Sequence, residues 1–548
     1  MHLRNLCSLS MLSMFGLLGC IQPQTRLQAP DDAELINDVT VQTIGEVTSY
    51  ANADPIHVSG VGIVTGLDGT GGDAPPGSYR TLLEKQLYQM KLDHVKEILA
   101  CPDNSMVLVS ALIPPGAHKG DLIDIEVSLP PFSKTISLRG GYLKPCSLYN
   151  YDSSKNLNPA FEGPDRLVLG HLLARGEGPL TVGFDETDNP DSLIQAKVWS
   201  GARSNIDRPL YLVVNPQQQS GPMVQRLAQR INQTFHGPFR GSMGEVAEAK
   251  TKAFLVLKVP LQYRYNLPRF MRVVRLIPWQ EAPAPDSLYG RKLARDLANP
   301  ARAVTAALRL EALGNQSVAA LKQGLQSTHT LVRFAAAEAL AYLGNPAGGD
   351  ELARLIESQP HLRAYCLTAL TSLDESISHV KLGELLASAD TEVRYGAFRA
   401  LRALDEHDPA VQGELLNDSF CVHRVARQSP PLVHICTSRR AEVVLFGDGI
   451  EMIPPFPLRA GEFTITAAAN DTKCTISRVS KQYGTARKQC SLRLDDVLRT
   501  MADMGGLYNE VVEFLQQAGE LHCLNCSVAV DALPQATSVY DLAKEDDS

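Results

Sequence analysis

Six glycines fall among the thirteen residues Gly60–Gly72, GVGIVTGLDGTGG, and residues of that type are what a phosphate-binding loop requires. Without a Cβ in the way, successive backbone N–H groups can converge on an anion. The spacing argues against that chemistry. A P-loop needs Gly-Lys-Ser/Thr at the start of a helix, and no lysine follows until Lys85. A dinucleotide fold needs G-x-G-x-x-G, whereas Gly60, Gly62 and Gly66 stand as G-x-G-x-x-x-G. The alternation of the glycines with Val61, Ile63 and Val64 predicts a strand of small bulk, at which another backbone or chain comes close. That makes Gly60, Gly62 and Gly66 candidate subunit-contact residues, and DGTGG reads as a turn.

Other groups that do chemistry are scattered. Asp121 and Asp124 suggest an acid/base pair, but a separation of three in a strand puts them on opposite faces. His434 in LVHICTS and His522 beside Cys523 have no paired ligand spacing and read as core or surface histidines. The CLNC of 523–526 lacks a second CxxC or HxxxH and reads as a structural pair or two thiols. No H-E-x-x-H or G-x-S-x-G occurs in the sequence. The expectation is therefore no catalytic residue, no metal ligand and no cofactor.

The chain has 548 residues, 44% hydrophobic and 20% charged, which is ordinary composition for several globular domains. Its net charge of −8 offers no basic face for nucleic acid, whose binding depends on displacing counterions. Arg4 precedes the apolar run LCSLSMLSMFGLLGC, a secretory signal too short to span a bilayer. Its end, Leu17-Leu18-Gly19-Cys20, resembles a lipobox, with Leu18 where a small residue is usual. Cys20 is the expected lipidation site and the only expected membrane attachment. Residues 1–20 are then the signal and 21–40 a polar tether.

Export places the remaining nine cysteines where disulfides persist, and an odd number leaves at least one thiol free. Cys366, within the helical LRAYCLTAL, is the candidate for that thiol. Cys474 and Cys490 flank TISRVSKQYGTARKQ, a hairpin pattern with Gly484 in its turn, and are the candidate disulfide.

Three textures succeed one another. From Val41 to about Trp279, β-rich runs such as SMVLVSALIPP and DLIDIEVSLP alternate with Gly/Pro breaks, and one helix is expected near 221–235 with its apolar stripe at Val224, Leu227, Ala228, Ile231 and Phe235. From about 285 to 412 the chain is Ala/Leu-rich, with helices ending at Leu313-Gly314, Leu343-Gly344, Leu373-Asp374 and Leu404-Asp405, spacings of 30, 30 and 31. Val332-Arg333, Leu362-Arg363 and Val393-Arg394 recur at one offset from those ends. This pattern resembles the short HEAT repeats, which stack helix pairs into a solenoid. Ten Lys and Arg against thirteen Asp and Glu between 301 and 410 argue against a nucleic-acid cradle; because a solenoid exposes much surface per residue, a protein-contacting arm is expected, with a spacer that braces its neighbours as the alternative. Over 413–535 β texture resumes, with helical stripes in LDDVLRTMADMGG and YNEVVEFLQQAGE; 536–548 is an acidic tail.

Four segments in order carry a further resemblance. HVSGVGIVTGLDGTGG, MVLVSALIPPGAHKGDLIDIEVS, SLRGGYL at 137–143 and LDDVLRTMADMGGLYNEVVEFLQQAGELH are similar to motifs of the bacterial flagellar P-ring protein family. The resemblance spans about 41–280 and 431–533. It implies a non-catalytic periplasmic subunit that forms a homo-oligomeric ring around the flagellar rod and contacts the outer-membrane ring protein and peptidoglycan. Lipidation and a solenoid depart from that family's pattern. The expected fold is multi-domain α+β: a β-rich ring body built jointly from 41–284 and 413–535, with an inserted all-α HEAT-like solenoid over 285–412. The alternative is an outer-membrane lipoprotein scaffold that reuses the ring fold in a non-flagellar assembly.

Overall fold

A computed structural model describes residues 41–89, 91–153, 167–182, 193–235, 245–280, 283–438, 440–480 and 484–536. Cys20, the signal, the tether and all but the first residue of the acidic tail lie outside the described residues. Among those described, no helix is long and apolar enough to cross a membrane.

The first large unit is an antiparallel barrel. Its strands β2 (Ile56–Thr65), β3 (Asn104–Ile113), β4 (Leu122–Ser128), β5 (Tyr142–Ser153), β6 (Leu167–Pro179), β7 (Thr181–Val182) and β8 (Gln195–Ser204) run in the order β4-β3-β2-β5-β6-β8-β7, and β4 also pairs with β8. Strict alternation makes β4 a half-buried strand: Ile123, Ile125 and Val127 are inside, while Leu122, Asp124 and Glu126 face out. The barrel interior is filled by Val58, Val64, Val107, Val109, Ile125, Leu143, Leu148 and Val198 among others. Two helices, α2 (Ser78–Gln89) and α3 (Val95–Ala100), cover the outer face of β2 and β3 through Leu83, Leu87, Val95 and Leu99.

Beside the barrel, strands β1 (Thr48–Ala51), β9 (Leu210–Val214), β10 (Ala247–Ala249) and β11 (Phe254–Leu257) form a sheet in the order β1-β9-β11-β10. The helix expected near 221–235 is α4 (Gly221–Thr234), capped by Ser220, whose side chain accepts from the Met223 amide, and its stripe is buried as anticipated. Short α1 (Ile44–Val47) and α5 (Leu267–Leu276) complete this layer.

Eight helices follow: α6 (Leu288–Ala298), α7 (Pro300–Leu313), α8 (Val318–Gly324), α9 (Thr330–Tyr342), α10 (Gly349–Ser358), α11 (Arg363–Ser372), α12 (Ser376–Leu385) and α13 (Thr391–Leu404). Helices α7, α9, α11 and α13 pack one on the next, and α6, α8, α10 and α12 each pack on the helix that follows them. The four helix ends read at 30- to 31-residue spacing are the ends of α7, α9, α11 and α13.

In the C-terminal unit, β12 (Gly413–Leu416), β13 (Phe420–Val425), β14 (Leu432–Cys436), β15 (Glu442–Phe446) and β20 (Ser527–Val530) form a mixed sheet ordered β12-β13-β15-β14-β20. A four-stranded meander follows, β16 (Phe456–Ala460), β17 (Phe463–Ala467), β18 (Lys473–Ser480) and β19 (Gly484–Ser491), with helices α14 (Leu494–Asp503) and α15 (Tyr508–Glu520) against the core.

The barrel and the C-terminal meander each have a core of their own. They meet where Arg139 pairs with Glu513 and α15 touches β7. One continuous core instead runs from the β1-β9-β11-β10 sheet through the helices to Val425, Leu432, Val444 and Phe446 of the C-terminal sheet. The helices thus share this core with both flanks.

Candidate functional site

The Gly60–Gly72 run forms the end of β2 and the turn after it. Along β2 the even positions face the barrel interior with Val58 and Val64, and the odd positions Val61 and Ile63 face α2 and α3. Gly60 and Gly62 are thus the inward, bulk-free positions of a strand buried on both faces. A Cβ on Gly60 would lie 2.4 Å from the Ser147 carbonyl oxygen, and one on Gly62 would lie 2.9 Å from Leu143 Cδ1, both on the neighbouring β5. The close approach inferred from these glycines exists, but it is made within one chain, because β2 has β3 on one side and β5 on the other. Of the three candidate contact residues, only Gly66 is exposed, in the left-handed region at φ 83°.

The turn is tied to a second glycine motif, SLRGG at 137–141. Thr70 Oγ1 donates to the carbonyls of Leu67 (2.7 Å) and Ser137 (2.8 Å), and the Ile136 amide donates to the Thr70 carbonyl at 2.8 Å. Gly141 sits where a Cβ would come within 2.4 Å of Val64 Cγ1. Two motifs separated by about seventy residues are therefore one interlocked corner of the barrel. The amides of Leu67, Thr70 and Gly72 donate to the carbonyls of Asp103, Leu67 and Asn104. With those donors committed to the chain, the corner is built for packing and has no anion cradle of the P-loop type.

The other candidates are placed as follows. Cys474 and Cys490 are directly opposite partners across β18 and β19, both present as thiols, with Sγ atoms 3.3 Å apart. Hydrogen bonding from Cys474 lowers the Cys490 pKa to about 7. Cys366 is fully buried in α11, and burial drives its pKa up. Asp121 accepts from the His118 amide in the turn before β4, and Asp124 accepts from the Ser200 amide within β8, opposite the irregularity in the β4–β8 register. His434 is fully buried against Tyr395, with ring centroids 3.5 Å apart, and its Nε2 accepts from the Ala532 amide. Among the described residues no His, Cys, Asp or Glu cluster has the arrangement of a metal site.

Two buried ionic clusters carry no sequence signal, because their members are far apart in the chain. Arg269 of α5 lies between Glu311 of α7 and Glu338 of α9, 2.6 Å from each, with Tyr263 donating to Glu311 at 2.7 Å. Desolvation opposes the charge of Arg269, but the two carboxylates outweigh it and raise its pKa. Glu442 of β15 accepts from Tyr395 (2.8 Å) and Arg402 (2.5 Å), both on α13. Each cluster joins the helices to one flank.

The comparisons agree with this geometry over the first half of the chain. The family model of the flagellar P-ring protein matches residues 43–284, which ends where the helices begin. Curated relatives similar to the chain are flagellar P-ring proteins of Helicobacter acinonychis (strain Sheeba), 23% identical over 43% of this chain and 62% of that protein, and of Vibrio cholerae serotype O1, 29% identical over 40% and 58%. That of Pseudothermotoga lettingae is 24% identical over 42% and 65%. The chain thus spans about three fifths of the length of these relatives.

Proposed function

We propose that this chain is a structural, non-catalytic subunit of a P-ring-like assembly: a closed homo-oligomeric ring in the periplasm, around the flagellar rod. The observation that carries this reading is the agreement between the 43–284 match and the interlocked corner, in which the two glycine motifs of the resemblance serve one another. A head-to-tail interface whose rotation closes yields a ring, and exposed Gly66 remains a candidate contact. In this reading the outer-membrane ring protein is a neighbour, peptidoglycan is a further contact, and a lipid on Cys20 is the membrane anchor. The helices, read as HEAT-like repeats, would meet a further protein, since stacked repeats expose much surface per residue.

The test is to purify basal bodies from the source cell and label this chain for electron microscopy. A ring of label around the rod is expected. Assembly of the chain into an envelope particle without a rod would overturn the flagellar reading in favour of the outer-membrane lipoprotein scaffold. Metabolic labelling with a fatty acid, set against Cys20→Ala, decides the anchor separately; equal labelling of both chains would remove it.

A further inference from the structure

A cleft of about 1280 Å³ opens between α5, the α11 and α13 faces of the helices, and the last described residues, Leu533–Ala536. Its charge is unusual for a chain of net charge −8. Arg264, Arg399 and Arg440 line it and form no ion pair among the described residues, whereas the Arg269 and Arg402 nearby are committed to Glu311, Glu338 and Glu442. Opposing them are Asp405, which caps the His407 amide, and Glu406. Arginines that line an open cleft without a carboxylate partner suit a carboxylate-bearing ligand, by charge-assisted and often bidentate hydrogen bonds.

The path of the C-terminus indicates which ligand. After β20, Asp531 accepts from the Thr437 and Ser438 amides, and the Ala532 amide donates to buried His434. Leu533 packs on the continuous core, and Pro534 lies against Gly396 of α13, where a Cβ would be 3.5 Å from the proline ring. These contacts deliver the chain to Ala536 on the cleft wall. Residues 537–548 follow, with Asp541, Glu545, Asp546 and Asp547 against the single Lys544. Five residues from Ala536 to Asp541 reach at most about 17 Å, comparable to the width of a cleft this size.

We propose that this cleft is a binding site for an acidic peptide and that residues 541–547 of the same chain are its occupant. Tethering gives the segment a high effective concentration, so modest intrinsic affinity suffices to fill the site. A free acidic partner would have to displace it. The inference is independent of ring assembly.

The experiment is fluorescence anisotropy with a labelled peptide of sequence 537–548, titrated with the full chain and with a full-length variant whose segment is neutralised (Asp541→Asn, Glu545→Gln, Asp546→Asn, Asp547→Asn). The peptide is expected to bind the neutralised chain at least about tenfold tighter than the native chain, whose site is filled. Affinity should weaken with salt and fall at least about tenfold with Arg264→Glu and Arg440→Glu, both at exposed positions. Arg399→Gln gives a second readout should that double variant fail to fold. Equal binding to native and neutralised chains, binding insensitive to the arginine changes, or no binding to the neutralised chain overturns the proposal.

Discussion

Arg269 and Glu311 form a buried ion pair, Nη2 to Oε2 2.6 Å, between the region that resembles P-ring proteins and the first stacked pair of the helical array. Removing one partner of such a pair strands the other. Arg269→Met should leave Glu311 and Glu338 buried without a counter-charge and cost about 3–5 kcal/mol, whereas Arg269→Met with Glu311→Leu and Glu338→Leu should recover much of the loss. Urea unfolding of the single and triple variants checks this; a single variant within about 1 kcal/mol of the parent would refute it.

Gly60→Val should unfold or strongly destabilise the monomer. The inserted side chain meets backbone, the Ser147 oxygen at 2.4 Å, which has no rotamer to yield. Overpacking of this kind costs about 1–3 kcal/mol even where side chains can move aside. Gly66→Val tests the exposed position, where strain from its positive φ is the main penalty. A folded Gly60→Val monomer with a native thermal midpoint would return that glycine to the interface.

Excision of 285–412 should abolish the fold of both neighbours. A Gly/Ser linker joining Ala284 to Gly413 removes the middle of the core that runs from Phe270 through Phe334 and Phe398 to Phe446, exposing apolar surface on each side. Sequence texture alone favours the opposite outcome, a host that closes over the gap. Circular dichroism and solubility of the linker chain discriminate: a cooperative, soluble protein would mean that the shared core is dispensable.

Oxidation should link Cys474 to Cys490. Their cross-strand register and 3.3 Å contact need only a small closure, and the thiolate of Cys490 is populated near neutral pH. Constraining a loop of this length stabilises by about 3 kcal/mol. Peptide mapping of protein recovered from the source cell without reductant should find the pair linked, and Cys474→Ser should lower the unfolding midpoint to that of the reduced parent. Recovery of both thiols in alkylatable form would sink the assignment.

Acidification should weaken the fold through a buried histidine, starting near the ordinary histidine pKa. Desolvation lowers the His434 pKa to about 4, against the opposing pull of Asp531 and Glu442 and with help from Arg399. The unfolded chain takes up the proton first, at about pH 6.5. Stability from this group is therefore complete above that pH and lost toward pH 4, up to about 3 kcal/mol. His423, also lowered by burial, acts in the same direction. His434→Phe keeps a ring on Tyr395 and should flatten the pH dependence of urea unfolding between about pH 6.5 and 5; an unchanged slope would refute the assignment.

Much of the local structure was legible because it depends on neighbours in sequence. The recurring Leu-Gly and Leu-Asp stops marked four helix ends, the β-rich run DLIDIEVSLP with its proline end marked β4, and the flanking cysteines marked the β18–β19 hairpin. Gly60 and Gly62 announced a close approach but not its direction, since a missing side chain admits a neighbouring strand and another subunit equally well. Barrel closure through β4 and β8 depends on register between segments some seventy residues apart. The Arg269–Glu311–Glu338 cluster is invisible in one dimension for the same reason. Helices α2, α3 and α5 went unnoticed within a stretch that reads as β-rich.

Because β4 also pairs with β8, the seven-stranded sheet closes on itself instead of ending at β4. An open sheet edge invites pairing with another chain, and closure covers the β4 edge of the largest sheet. Such an edge persists along β19, the open border of the meander, which is solvent-exposed through most of its length. Arg487 and Lys488 lie there, and like charges brought edge to edge repel. Edge-to-edge pairing is thus opposed twice, by geometry at β4 and by electrostatics along β19.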